Sequence, residues 1–432
     1  MGRGAVLSDT LALYIHWPFC VSKCPYCDFN SHVREQVGQQ AWREALLADL
    51  AHEARLTEGR KLGSIFFGGG TPSLMPPETA AALIEAAEQA WGFADDIEIT
   101  LEANPSSVEA ARFAELASAG VNRVSLGLQA LDDTTLAFLG RAHQVEESLS
   151  ALDAAQLHFD RVSIDLIYAR PHQTPAQWEA ELARAIGFGT THMSLYQLTI
   201  EPGTRFATDV AKQQWQPLDD DAAADLYELT QARMEAAGLP AYEISNHAAT
   251  GQESHHNLTY WRYQDYAGVG PGAHGRRGGM ATQRHRKPEN FLSAVARNAH
   301  GLQVEDSLDP ATQAMEALLM GLRLREGVDI SALSIRFAID SGDLIDWTAV
   351  EKLEGMGFVT TSPLPFTGGA EGGPERAQDS LRSPLPLTAV APPRLRLPAS
   401  GRGEILAVTP KGFPLLDAIL PQIVAIEPAP DA

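Results

Sequence analysis

The sequence predicts an α/β protein in which six β-strands, each followed by a helix, make a parallel sheet closed or nearly closed into a barrel, with a smaller helical domain after it. Three observations carry this expectation. Short apolar runs recur at 11–15, 64–67, 97–101, 123–128, 162–167 and 192–198, and stretches with helical apolar spacing separate them. Glycine or polar residues stand where successive runs end, and the active sites of such barrels gather at the C-terminal ends of their strands. All three cysteines of the chain fall in one stretch directly after the first run.

Composition bounds the possibilities. The 432 residues are enough for two domains, and a 44% hydrophobic content supplies a large core. A formal charge of −22 argues against a nucleic-acid partner, whose backbone needs clustered Lys and Arg. There is no run of 18 or more apolar residues and no long apolar segment in MGRGAVLSDT, so no integral membrane segment is expected. Val6 stands where a myristoylation signal needs Ser or Thr. These features lead to the expectation of a soluble cytoplasmic protein.

The first run leads into His16-Trp17-Pro18-Phe19-Cys20-Val21-Ser22-Lys23-Cys24-Pro25-Tyr26-Cys27-Asp28-Phe29. Three thiolates spaced C-x3-C-x2-C can wrap one small inorganic centre. A [4Fe-4S] cube takes one cysteine per iron when fully ligated, so here one iron would be left open to bind a small molecule. Other readings remain at this point. Ordinary buried cysteines are one, although Pro18 and Pro25 make a poor core strand. A structural zinc site with His16 or His32 as fourth ligand is another. A disulfide is opposed by the odd count.

Next comes a helix over 39–56 with Trp42, Leu46, Leu47 and Leu50 on its apolar side, then a strand over 64–67 ending in Gly68-Gly69-Gly70-Thr71-Pro72. Helices are expected over 77–90, 108–118, 132–157 in segments, 175–186 and 220–237, alternating with the remaining strands. Strand ends carry Gly69, Gly70 and Thr71, then Glu102, Gln129 and Asp165. A lone Glu at a strand end is ordinarily just the first solvated residue, and glycines can simply make a turn. Five consecutive strands with polar ends at one mouth point to a site. From Tyr242 aromatic residues (Tyr260, Trp261, Tyr263, Tyr266) interleave with His247, His255, His256 and His274. Any one of these histidines is most simply a buried structural residue, yet imidazole beside flat apolar surface also suits an iron porphyrin. Apolar spacing predicts further helices over 311–327, 347–357 and 409–420. The stretch 363–401, rich in Pro, Gly, Ser and Arg without periodicity, reads as a disordered insertion.

C-x3-C-x2-C after a first strand, with the aromatic Tyr26 before the last cysteine, resembles the cluster loop of the radical S-adenosylmethionine (SAM) enzymes. YIHWPFCVSKCPYCDFNSH, together with GGGTPS, LEANP, SLGLQALD, LGRAH and DLIYARP, is similar to one branch of that superfamily. The branch comprises the oxygen-independent coproporphyrinogen III oxidases and the HemW-type heme chaperones. The resemblance implies a partial (β/α)6 TIM-like radical SAM barrel over 11–240 after an N-terminal tail of 1–10. It further implies a porphyrin- or heme-side extension over 241–305 and a small, mostly helical, winged-helix-like C-terminal domain over 306–432. A [4Fe-4S] cluster on Cys20, Cys24 and Cys27 is implied, its open iron chelating SAM. Carried over by motif, SAM contacts fall to Tyr14, Gly69, Gly70, Thr71, Glu102, Gln129, Arg141 and Asp165, with Tyr26 near the adenine. The glycines would let the backbone approach the amino acid part of SAM.

HHNLTYW resembles the HNxxYW segment of the heme chaperones, which makes His256 the implied heme histidine, with His255 beside it and His274 of GVGPGAHG weaker. The oxidases follow the third cysteine with Gly and another Cys, where this chain has Asp28-Phe29, and carry a longer segment before the cluster. Both departures favour a chaperone that binds heme and passes it to recipient hemoproteins, such as respiratory membrane proteins. Oxidative decarboxylation of coproporphyrinogen III remains the enzymatic alternative, and a structural zinc protein the non-redox one. A radical methyltransferase is weaker still, because several of those need extra cysteines.

Overall fold

The structure is a computed structural model describing residues 10–34, 37–363 and 404–425. The chain divides into two compact units. One comprises, in its described part, 10–309 with 323–325, and the other comprises 310–322 and the described residues from 326 on.

The larger unit is built on an eleven-stranded sheet. Its strands are β1 (Thr10–Trp17), β2 (Lys61–Gly69), β3 (Phe93–Ala103), β4 (Arg123–Gln129), β5 (Arg161–Tyr168), β6 (His192–Gln197), β7 (Asn246–Ala248), β8 (Tyr266–Val269), β9 (His274–Arg277), β10 (Met280–Arg284) and β11 (Leu302–Ser307). β1 to β6 are parallel and lie in chain order, as the six-strand reading expects. The sheet does not close on itself. The free edge of β1 is taken by β8, in parallel register from Ala12 opposite Tyr266 to Ile15 opposite Val269, and that of β6 by the antiparallel β7. With both edges occupied, β1 and β6 cannot pair, and the barrel is partial.

Register explains why the two sheet faces differ. One row of neighbours runs Leu13, Ile65, Ile99, and the next Ile15, Phe67, Leu101, Val124, Val162. These apolar side chains share one core with Trp42, Leu46, Leu83, Leu116, Leu152, Trp178 and Leu182 of the connecting helices. The alternate row, Tyr14, Phe66, Thr100, Arg123, Arg161, points to the other face because side chains alternate along a strand. The inner face is therefore largely polar.

Helices start where local chemistry satisfies their first N–H groups. The one over Pro175–Ile186 begins with a reciprocal Thr174–Gln177 capping box and Pro175 in its first turn. One expected helix is broken, and the segments expected over 132–157 are two helices. The stretch 108–118 divides into Ser107–Ala110 and Phe113–Ser118, and 132–157 into Asp133–Phe138 and Val145–His158. The second division serves the site. Gly140 turns there at φ +69°, and a Cβ on it would stand 2.5 Å from Cδ of Pro25 in the cysteine loop.

β8 to β11 are tied to the helix α1 (Gln39–Leu56) by buried charges. Asp49 accepts from the Gly270 and Gly301 N–H groups (3.1 and 2.9 Å) and from Arg284 (3.3 Å). Glu53 receives Arg284 at 2.6 Å and Arg277 at 2.6 Å. Burial alone would raise the Glu53 carboxyl, but the two guanidinium groups hold it below its ordinary range.

In the smaller unit, helices Pro310–Gly321, Ile330–Phe337, Trp347–Gly355 and Leu416–Ile423 accompany a three-stranded antiparallel sheet. Glu404–Val408 is its centre, between Val328–Asp329 and Val359–Pro363. The helix expected over 311–327 stops at Gly321, and the start of the one expected over 409–420 is irregular, with a single 3-10 turn at Phe413–Leu415 before the helix begins. The expected insertion at 363–401, apart from its first residue, and most of the expected 1–10 tail lie outside the described residues. Among the described residues no helix is long and apolar enough to cross a membrane.

Removing one partner of a buried ion network leaves the other charge stranded. Glu53→Ala is expected to destabilise the protein by about 3–5 kcal/mol, measured by urea unfolding, because Arg277 and Arg284 lose the buried carboxylate they share and are left to Glu305 and Asp49.

Candidate cofactor site at the mouth of the barrel

β1 runs into Pro18, and Phe19–Cys20 then pairs in parallel with His32–Val33, which closes the base of the cysteine loop. The His32 N–H donates to the Pro18 carbonyl at 2.7 Å. Cys20 is buried, while Cys24 and Cys27 are half-buried, and all three are free thiols. Burial raises the pKa of Cys20 and of Cys27, and each is raised further by neighbouring thiols. His16 anchors the loop from below. Its Nε2 faces the Asn30 carbonyl at 2.9 Å and must carry the proton, so its Nδ1 accepts from the Tyr14 hydroxyl at 2.9 Å. Burial pushes this imidazole down to about 4. The Asn30 amide in turn donates to the carbonyls of Pro271 and Arg286, both at 2.9 Å.

The glycines after β2 are needed by the chain itself. Gly69 has φ +117°, and a Cβ there would lie 2.6 Å from the His16 ring. A Cβ on Gly70 would meet the Phe19 carbonyl oxygen at 2.7 Å. Backbone therefore lies directly on backbone, with the Gly70 N–H donating to Trp17 and the Thr71 N–H to Phe19 at 2.7 and 2.9 Å. These glycines are thus also required by the packing of His16 and Phe19 against the turn.

Two cysteine sulfurs receive hydrogen bonds. The Thr71 hydroxyl donates to Sγ of Cys20 at 3.6 Å, and the Arg141 guanidinium to Sγ of Cys24 at 3.4 Å. Asn104 joins these donors, giving its amide N–H to Thr71 (3.2 Å) and taking an Arg141 N–H on its oxygen (2.5 Å). Glu109 fixes Asn104 by accepting from its backbone N–H at 2.7 Å, and Ser73 donates to the same carboxylate. Arg141 also reaches the Tyr26 hydroxyl at 3.5 Å and the Gly127 carbonyl at 3.2 Å.

Beside this lie two buried carboxyl groups. Glu102 accepts from the Gly69 N–H at 3.2 Å, and Asp165 from the Ser125 hydroxyl at 3.0 Å. Burial, then the neighbouring Asp165, pushes Glu102 up to about 8, while burial raises Asp165 against the pull of its serine donors. Gln129 ends β4 in the left-handed region at φ 66°, a conformation uncommon for a residue with a side chain and frequent at functional sites. Tyr26 faces Phe206 with ring centroids 6.3 Å apart. Tyr14, Tyr26, Gly69, Gly70, Thr71, Glu102, Gln129, Arg141 and Asp165 all belong to strands, loops or turns at this one mouth.

His256 does not. It sits in the helix His255–Trp261, which starts on the buried Ser254 cap. Its Nδ1 meets the Ser64 hydroxyl at 3.0 Å and its Nε2 the Tyr260 hydroxyl at 2.9 Å, and its ring stacks on Phe66 at 5.0 Å. It is 1% exposed, and burial pushes it down to about 3. An open axial ligand needs a free ring nitrogen, and here both are engaged. Beneath it Glu98 binds Arg161 at 2.7 Å and the His256 N–H at 3.3 Å. His274 is exposed and His255 half-buried.

Residues 14–185 match the sequence profile of the Radical SAM superfamily, and 308–363 that of the HemN C-terminal domain. Radical S-adenosyl methionine domain-containing protein 1, mitochondrial, of Bos taurus is 41% identical over 330 residues, spanning 74% of this chain and 75% of that protein. Heme chaperone HemW of Escherichia coli K12 is 42% identical over 270 residues, spanning 62% and 70%. The chain belongs to the HemW-like branch of the radical SAM superfamily. The solved structure of coproporphyrinogen III oxidase (HemN) from Escherichia coli shares the fold, with a TM-score of 0.74 at 20% identity over 96% of this chain and 89% of that one.

Membership of the radical SAM superfamily implies a [4Fe-4S] cluster and SAM, and the donor set of this radical SAM chain fits the cluster. Three free thiols stand together, two of them receiving N–H or O–H donors of the kind that stabilise a thiolate ligand. For the zinc alternative, His16 is not available as a fourth ligand, since both its ring nitrogens are committed. Reading the sequence missed Asn104, Glu109 and Asn30. The only signal for the first two was the place of Asn104 in the LEANP segment and of Glu109 four residues beyond it.

Because the folded protein holds the Glu102 proton up to about 8, against an ordinary value of 4.5, folding takes up a proton between those values. The contribution is complete below the lower value and is lost as pH rises through the higher one. SAM-free protein is expected to lose urea stability from pH 5 to 8 by at most about 1.4 kcal/mol per unit from this group, and Glu102→Gln to flatten that slope.

Proposed function

We propose that this radical SAM protein is a heme chaperone that binds heme in the cytoplasm and delivers it to recipient hemoproteins. The reading is carried by the similarity to proteins named heme chaperone HemW, 42% identical in Escherichia coli and 44% in Haemophilus influenzae. Cys20, Cys24 and Cys27 would hold the cluster, leaving one iron for SAM. The cluster supplies a one-electron centre beside that open iron. Glu102, kept protonated near neutrality, gives up its proton to pair with the SAM ammonium, and Arg141 faces the SAM carboxylate. Gln129 and Asp165 offer hydrogen bonds to the amino acid or ribose groups, Tyr14 holds His16 under the glycine turn, and Tyr26 borders the adenine. The backbone of Gly69, Gly70 and Thr71 forms the rim on which SAM rests.

For heme, the HNLTYW segment points to His256, and the closed arrangement of that residue sets a condition on its use. Nε2 becomes available only when the bond to Tyr260 breaks, so heme capture is gated by a local opening. Heme added anoxically to cluster-loaded protein and followed by its Soret band tests both parts. Stoichiometric binding is expected in wild type, lost or weakened at least tenfold in His256→Ala and faster in Tyr260→Phe, which releases Nε2 without removing the ring. Unchanged binding in His256→Ala moves the ligand to His274 or His255. No binding by the wild type, together with decarboxylation of coproporphyrinogen III, returns the protein to oxidase chemistry.

Iron content gives a separate check on the cluster. Cys24→Ser is expected to lose the cluster while its far-ultraviolet circular dichroism stays that of the wild type, since Cys24 is half-buried and outside the core. Full iron loading in that variant removes Cys24 from the ligand set.

A further inference from the structure

We infer that Asn104 is a positioning residue that sets the reduction potential of the cluster by aiming two hydrogen-bond donors at two different ligand sulfurs. The inference rests on the reading of Cys20, Cys24 and Cys27 as cluster ligands. The observation is a continuous arc of hydrogen bonds: Sγ of Cys24, Arg141, Asn104, Thr71, Sγ of Cys20.

The chemistry of each group fixes the direction of each bond. Arginine only donates, so the Asn104 atom facing it is the carbonyl oxygen, and the NH2 group of the amide faces Thr71. With its oxygen already accepting from Asn104, the Thr71 hydroxyl is free to donate its hydrogen to Cys20. At the other end, the 2.5 Å bond to Asn104 and the 3.2 Å bond to the Gly127 carbonyl hold one Arg141 nitrogen, which presents the other to Cys24. Asn104 cannot swing away, since Glu109 binds both its backbone N–H and its amide, at 2.7 and 3.3 Å. Glu109 is itself fixed by the hydroxyls of Ser73 and Ser106.

Donors to ligand sulfurs withdraw charge from a cluster, favour its reduced form and raise its potential. An amide suits this position because it accepts at one end and donates at the other. An aspartate of the same shape can only accept. It would draw the Thr71 hydrogen off Cys20, compete with Cys24 for Arg141 and add a negative charge.

The test is an anoxic redox titration of the cluster in reconstituted full-length protein, followed by the electron paramagnetic resonance signal of the reduced form. At the wild-type midpoint, the reduced-to-oxidised ratio in Asn104→Asp is expected to fall about tenfold, a shift of about 59 mV to more negative potential for a one-electron couple. Thr71→Val, which keeps the shape and removes one donor, is expected to shift the same way by about threefold. A merely structural role would lower iron content without moving the potential of the clusters that remain. An unchanged or more positive midpoint in iron-loaded Asn104→Asp overturns the inference. If Asn104→Asp takes up no cluster, an unchanged midpoint in iron-loaded Thr71→Val overturns it. Wild-type protein that gives no cluster signal at all overturns the ligand reading, and the inference falls with it.

Discussion

The approach of the Gly69–Thr71 backbone to the end of β1 is the contact on which the candidate site depends. Peptide groups lie against one another with no side chain between them, and the Gly70 and Thr71 N–H groups close onto Trp17 and Phe19. A side chain at Gly69 would strike His16, and His16 holds the far side of the cysteine loop through Asn30. The same glycine donates its N–H to Glu102. Cysteine loop, first carboxylate and second strand are thus held by one stretch of backbone. Its geometry tolerates no larger residue.

The distribution of charge inside the partial barrel follows from what each depth must do. Deep in the sheet Glu98 is met by Arg161 and Arg123, so its burial cost is offset by ion pairing. At the mouth Glu102 and Asp165 lie near each other among neutral donors, the charges of Arg123 and Arg141 offset the burial of Asp165 only in part, and both carboxyls are raised. A fold selected only for stability would not leave two buried carboxyls together. Buried acids with raised pKa values at a concave mouth are the arrangement expected where a cationic ligand brings further positive charge.

His256 shows how one residue can satisfy a motif and still be closed. The helix that carries it packs against β2, where Ser64 and Phe66 receive the imidazole, and Tyr260 one turn on caps the other nitrogen. Histidine at i and tyrosine at i+4 share a helix face, so this internal bond comes from the spacing HNLTY itself. Function through His256 therefore requires the helix or its tyrosine to move, while the cysteine loop stands formed without such a change.

The order of strands and helices was legible along the chain because period-two and helical apolar spacing are local properties. The helices at 39–56 and 175–186 and the strand starting at Arg123 begin where that spacing places them. The cysteines, glycines and strand-end polar residues were legible as well, because their motifs are contiguous. Three things were decided only by tertiary structure. Edge pairing of β1 with β8 joins residues more than 250 positions apart, and no local pattern encodes which strand covers an edge. The burial of His256 depends on Ser64, a polar residue within an apolar run, meeting it from across the sheet. The arc through Asn104 links Cys20, Thr71, Arg141 and Cys24 from four separate segments, and hydrogen-bond direction exists only once those segments are in place.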